Sequence, residues 1–384
     1  MQKYRIVLGS ACLLCYPEGG GHWSAFQQYL CGLEALGHDV FWLELIRHGD
    51  PVQQAAWLRT FAERMNAWGF AGRWAAAFFH GDAPTDLDSL DVHGVSLAEL
   101  RRRIDGADMV WNFACMLRSP LLQLFRRRVL IDLDPGIVQV SALDHDLDLA
   151  THHVRFTIGL NVGCDDSSVP LVGGEWRPVP PIVHLPLWSE AGPPREEAKF
   201  TSITQWGWGE LHLDGRVLSV SKRDAYMRYV EVPRRCGRSF ELAANLDRRD
   251  PTGDLPRLTA GGWSLVDPKV VAFDPEAYRG YIAQSRGEFC CPKPIYRDLR
   301  TGWVSDRSLA FLASGRPVVM ENTGLDGHMP INAGLVCFSD PDGAVEAVET
   351  VEREYDRHAH AARNLVEDFF AAERVLPRML EQCA

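Results

Sequence analysis

YRIVLGSACLLCYPEGGGHWSAFQQYLCGLEALGHDVFWLELI (residues 4–46) holds two apolar runs separated by a glycine turn and an amphipathic segment. The first run, YRIVLGSA, is apolar without alternation, the pattern of a parallel strand covered on both faces. Trp23, Phe26, Tyr29, Leu30, Leu33 and Leu36 recur at helical spacing. Gly37 closes that helix, and HDVFWLELI supplies the second strand. The stretch therefore reads as a βαβ unit.

The theme continues on the C-terminal side. A helical region is expected from Pro51 to about Phe79, then a helix stopped near Gly106 and a strand over Met109–Phe113. RRRVLIDLDPG (126–136) and VRFTIGLNVG (154–163) are two further strands running into polar, glycine-bearing loops. Strands alternating with helices predict a doubly wound parallel sheet. The Pro- and Gly-dense stretch GGEWRPVPPIVHLPLWSEAGPPREE (173–197) cannot continue a helix or a central strand and reads as a linker. KFTSITQW then opens a second α/β region. The predicted division is 1–185, 186–350 and a helical tail, 351–384, that packs back on the first domain. The fold class is α/β, two Rossmann-like domains facing across a cleft.

At 384 residues the chain exceeds one ordinary core. A net charge of −11 disfavours nucleic acid or an anionic membrane as partner, since both require a basic face. No run reaches the roughly 18 apolar residues of a membrane span. The ten cysteines read as reduced, mostly buried small hydrophobes of a cytoplasmic protein.

Several residues carry candidate chemistry. Gly19–Gly21 before a helix start offer close backbone approach and free N–H groups to an anion, with Gly20 and Gly21 the contacts expected; the same glycines also suit a plain βα turn. His22, titrating near neutrality, is a candidate general base. Asp132 and Asp134 stand at the carboxyl end of a strand, where open α/β sheets bind ligands. Asn112 and Asn161 occupy comparable strand ends and are the acceptor-side candidates. TQWGWGE places Gln205, Trp206 and Trp208 on a loop where an aromatic ring could stack on a base or sugar. SRGEFCCPK offers Glu288 and Lys293. In GWVSDRSLAFLASGRPVVMENTG (302–324), Trp303, Ser305, Asp306 and Arg307 stand at the mouth of a helix capped by Ser305, a place suited to a diphosphate.

GGGHWSAFQQYLCGLEALGHDV, FLASGRPVVMENTG, GLVCFSDPDGAVEAV and HAHAARNLVEDFFAAERVLPRML together resemble glycosyltransferases of the GT-B fold over nearly the whole chain. The resemblance implies a nucleotide-sugar donor in the C-terminal domain and a small-molecule or glycan acceptor in the N-terminal one. It implies no metal and no cofactor beyond the donor. It assigns His22 as base with Asp134 as its orienting partner. Ser305, Asp306, Arg307 and Lys293 then fall on the diphosphate, and Gln205 and Trp206 on the base or ribose. Retaining members carry two glutamates that fall here at Gly302 and Ala310, so the missing acids favour inversion. Two other functions suit the same architecture. One is a nucleotide-sugar epimerase using His22, Asp134 and Glu288; the other is a non-catalytic nucleotide-sugar-binding protein.

Overall fold

The computed structural model describes residues 2–383 apart from Asp82 and Arg248. Its strands are β1 (Arg5–Gly9), β2 (Asp39–Arg47), β3 (Trp74–Phe79), β4 (Asp91–His93), β5 (Met109–Phe113), β6 (Arg128–Asp132), β7 (Val154–Thr157) and β8 (Arg177–Pro178) in the first half. The second half holds β9 (Phe200–Thr204), β10 (Glu210–Leu213), β11 (Arg216–Ser219), β12 (Phe240–Ala244), β13 (Trp263–Val266), β14 (Gly287–Cys290), β15 (Val318–Glu321), β16 (Asn332–Ala333) and β17 (Leu335–Phe338). The first sheet runs β4-β3-β2-β1-β5-β6-β7-β8 and the second β13-β12-β9-β14-β15-β17-β16. Apart from the antiparallel edge strands β4 and β16, every pairing in both sheets is parallel. In each sheet the strand order reverses once, between β1 and β5 and between β9 and β14, which is where doubly wound sheets open a crevice.

The strand residues explain this arrangement. Both β1 and β2 are buried along their length except at the ends, as helices on each face require. Residues 74–79, WAAAFF, correct the expected helix from Pro51 to Phe79. That helix ends at Ala67, and the apolar run beyond it is β3, buried beside β2. An alanine-rich run carries neither a two-residue nor a helical period, so pairing with β2 decides its state.

The chain ends on the first domain. In the last helix, Ala372–Cys383, Val375, Leu376, Met379 and Leu380 join the core around Trp23, Leu30 and Leu33. Each fully buried side chain of that size contributes about 1.5–3 kcal/mol, which docks a twelve-residue helix that is marginal alone in water. Gly32 makes room: a Cβ there would stand 2.9 Å from the Leu376 side chain. Between the domains the core is continuous, with Leu130 and Ile158 of the first half sharing a cluster with Tyr278, Ile295 and Trp303 of the second.

Candidate functional site

A cavity of about 950 Å³ lies between the two domains. The first domain lines it with the loop after β1, the start of the helix Gly20–Ala35, and the ends of β5 and β6. The second contributes Thr204 and Gln205 after β9, Lys293 after β14, and the mouth of the helix Asp306–Ala313. Both strand-order reversals thus open onto one space.

His22 is half-buried at the start of the first helix. Its Nε2 lies 2.7 Å from the Ala11 carbonyl oxygen. A carbonyl only accepts, so Nε2 carries the hydrogen and Nδ1 keeps the lone pair. Burial pushes the imidazole below its ordinary pKa, against the opposing pull of the Ala11 carbonyl, Asp306 and Asp134. The ring is therefore neutral at pH 7, with one nitrogen able to take a proton. Ala11 is itself held by a residue the sequence reading overlooked. Glu44, fully buried in β2, accepts from the Ser10 hydroxyl at 3.0 Å and from the Ala11 and Leu13 amides at 3.3 and 3.1 Å. Burial raises its carboxyl to about 7 against those hydrogen bonds.

The second domain supplies cations. Lys222, at the start of the helix Lys222–Arg228, lines the cavity and is 9% exposed. Its ammonium faces the Trp303 ring at 5.7 Å and has no carboxylate partner among the described residues. Burial, with Arg307 and Lys293 nearby, lowers its pKa to about 8. No sequence signal singled it out, because a lysine after a hairpin reads as surface charge. Lys293 lies 2.6 Å from Asp134 across the cleft and 5.1 Å from the Trp208 ring. Ser305 caps its helix by accepting from the Arg307 amide at 3.2 Å. Asp306 opens into the cavity, where withdrawal from bulk water raises its carboxyl against Arg307, Lys222 and His22. Gln205 is exposed on the same wall and Trp303 is buried in it. Among the described residues no three His, Cys, Asp or Glu side chains converge as a metal site.

Other candidates stand elsewhere or do other work. Trp206 is buried against Tyr226 and donates to Asp254 at 3.0 Å; it is Trp208, 64% exposed, that lines the cavity. Glu288 is fully buried and ion-paired with Arg307. The Arg307 guanidinium also donates to the Ile203 carbonyl at 2.7 Å, so its charge is met inside the domain although it reaches the cavity wall. Asn112 is buried and bonds the Leu117 carbonyl and amide and His152. Asn161 ties the domains together through the carbonyls of Arg300 and Gly324. Asp134 does not hydrogen-bond His22; burial alone would raise its carboxyl, but Lys293 and Tyr296 hold it below the usual range. Gly20 serves packing. Its N–H donates to the Ala272 carbonyl at 3.0 Å, and a Cβ there would stand 2.2 Å from the Asp274 carbonyl oxygen. Gly21 similarly leaves room for Tyr278, which a Cβ would approach to 3.0 Å. Four of the ten cysteines are buried and Cys164 is exposed. Cys12 and Cys15, in C-x-x-C spacing, lie on the loop after β1, where the Cys15 thiol donates to the Cys12 carbonyl at 3.3 Å.

No family model matches the chain, and no curated protein matches it in sequence. Solved structures do match along its length. An alpha-glucosyltransferase in complex with UDP and a 13-mer DNA containing an HMU base superposes with a TM-score of 0.61 at 11% identity, covering 100% of both chains. Sucrose-phosphate synthase from Thermosynechococcus elongatus gives 0.59 at 12% identity, covering 98% of this chain and 97% of that one. HepE from Anabaena, in complex with UDP and glucose, gives 0.53 at 10% identity, covering 98% of each. The chain has the GT-B fold.

Within that fold, the two positions at which the sequence resemblance expects acids are closed by packing. Gly302 has φ +69°, and a Cβ there would stand 2.8 Å from the Asn161 amide nitrogen. Ala310 is buried in the helix Asp306–Ala313. The left-handed backbone disfavours any side chain at Gly302 and the neighbouring domain blocks it. Gly302→Ala is expected to lower the melting temperature by about 4–8 °C, corresponding to roughly 2–3 kcal/mol. Differential scanning calorimetry checks this; an unchanged transition would show that the two loops part without cost.

Proposed function

We propose that this protein is a glycosyltransferase that moves a sugar from a nucleoside-diphosphate sugar to an acceptor hydroxyl, with inversion. The observation that carries the reading is the facing of His22 from one domain and Lys222 and Lys293 from the other across a single cavity. Structures of the same fold that contain UDP support a uridine diphosphate donor. In this reading Nδ1 of His22 takes the acceptor hydroxyl proton as the acceptor oxygen bonds to the anomeric carbon. The bond from that carbon to the diphosphate oxygen breaks, and both electrons leave with the diphosphate. Lys222 and the Ser305-capped helix mouth meet the charge that develops there, and Lys293, bridged to Asp134, adds to the positive field. The epimerase alternative loses support, because Glu288 is committed to Arg307 and Asp134 to Lys293.

The test is a melting-temperature screen against UDP, GDP, dTDP and ADP sugars, followed by product analysis with mixed acceptors. A ligand at 100 times its Kd stabilises the folded state by about 2.7 kcal/mol, a shift of several degrees. A shift with one nucleotide class and sugar transfer from it are expected. No shift with any of the four would overturn the reading.

A further inference from the structure

The cavity's two halves differ in chemistry, and the difference points to the acceptor. We infer that the acceptor is a small apolar molecule with a flat, aromatic-type ring system and a free hydroxyl, bound against the first domain; this rests on the glycosyl-transfer reading.

The first domain lines its half with the exposed Tyr16 and Met116 and the half-buried Trp57, backed by the buried Phe26, Phe113 and Ile182, and contributes no lysine or arginine. Its two acidic residues there, Glu18 and Asp134, are each paired with a lysine of the second domain, Lys269 and Lys293. Each carboxylate thus has its charge met by a lysine of the second domain. A nucleic-acid acceptor needs cations along its backbone, and this half offers none. A glycan needs several side-chain hydrogen-bonding groups around each ring. Here the exposed side chains with a hydrogen-bonding group are few: Gln53 and the Tyr16 hydroxyl, with His22 and Trp57 half-buried and the Ser10 hydroxyl already given to Glu44.

Apolar side chains, by contrast, are left uncovered at this place. Tyr16 is 53% exposed and Met116 41%, and both line the cavity, while the 64% exposed Trp208 belongs to the second domain's wall. A cluster of large exposed hydrophobic groups within a cleft marks a binding surface, where singly scattered ones would not. The aromatic wall also reaches the proposed base. The His22 ring meets Tyr16 edge-on at 5.8 Å between centroids and Phe26 at 5.1 Å, and Phe26 meets Phe113 at 4.9 Å. A flat ring laid against the exposed Tyr16, with the buried Phe26 and Phe113 behind, is within reach of the imidazole. The polar donor then occupies the lysine-bearing half.

Isothermal titration calorimetry of the UDP-saturated protein with 2-naphthol, maltotriose and a hydroxymethylated DNA duplex tests the assignment. The expected result is naphthol binding at least about tenfold tighter than either other probe. Tyr16→Ala and Met116→Ala should each weaken it about two- to tenfold, as loss of one aromatic or thioether contact implies. The UDP-induced rise in melting temperature, measured on each variant, shows that it is folded. Tighter binding of maltotriose or DNA, no naphthol binding to a protein that does bind UDP, or naphthol affinity indifferent to both substitutions would each overturn the acceptor assignment alone. Absence of a UDP shift in the wild type would overturn the transfer reading and the acceptor assignment with it.

Discussion

His22→Ala lowers the turnover of glycosyl transfer about 10²–10⁴-fold, the range expected when a positioned general base is removed. Donor binding, read as the nucleotide-induced rise in melting temperature, stays nearly unchanged if the diphosphate is held, as proposed, from the other domain. The structural basis is the tautomer. Ala11 accepts from Nε2, Glu44 holds the loop that carries Ala11, and Nδ1 remains the basic nitrogen. Burial lowers the imidazole pKa below 6.5, so the neutral form persists to more acidic pH than for a free histidine. Protonation of His22 then sets an acid limb below the pH of a free histidine. A rate–pH profile of the wild type under saturating donor checks the position of the acid limb. A His22→Ala enzyme retaining more than about a tenth of the wild-type turnover would remove His22 from the role of base.

Lys222→Met weakens nucleotide binding about 10–100-fold, the cost of losing a charge-assisted contact of 1.5–3 kcal/mol. Two further readouts separate an electrostatic role from simple packing. The free protein holds the Lys222 proton with a pKa of about 8, so UDP affinity in the wild type declines as pH rises through 8. Lys222→Met flattens that decline. Stability in the absence of nucleotide moves the opposite way. The unfolded lysine binds its proton more tightly than the folded one, so the wild type gains stability as pH rises from about 8 towards 10.5. Below pH 8 the buried ammonium costs up to about 3 kcal/mol, which methionine of similar length relieves. Titration calorimetry from pH 7 to 9.5 and thermal melts of both proteins measure the two effects. If Lys222→Met binds UDP as tightly as the wild type at pH 7, the diphosphate lies elsewhere.

The periodicity of residues 4–46 determined the first βαβ unit, because a buried parallel strand and an amphipathic helix leave different marks on hydrophobic spacing. The same marks placed a strand at 109–113 and the opening of a second α/β region at KFTSITQW, where β9 spans Phe200–Thr204. Residues 74–79 left no such mark, and only the neighbouring β2 makes them a strand. At the cavity, His22, Gln205, Lys293, Trp303, Ser305, Asp306 and Arg307 stand together, since all follow carboxyl ends of strands or open a helix there. Which partner each side chain meets is not local information. Trp206 and Trp208 are two residues apart in one loop, yet one is packed in the core and the other faces the cleft. Glu288 and Arg307 are nineteen residues apart and neutralise each other. Gly20 reads as a ligand turn until Ala272 and Asp274 of the other domain are brought against it. Outside residues 74–79, the sequence alone determined where most strands end and, apart from Lys222, which polar groups gather at those ends, because that depends on neighbours a few residues away. The tertiary structure decided which charges stay unpaired and which glycines are spaces for another domain, because those depend on side chains that are not sequence neighbours, from nineteen residues away for Glu288 and Arg307 to another domain for Gly20.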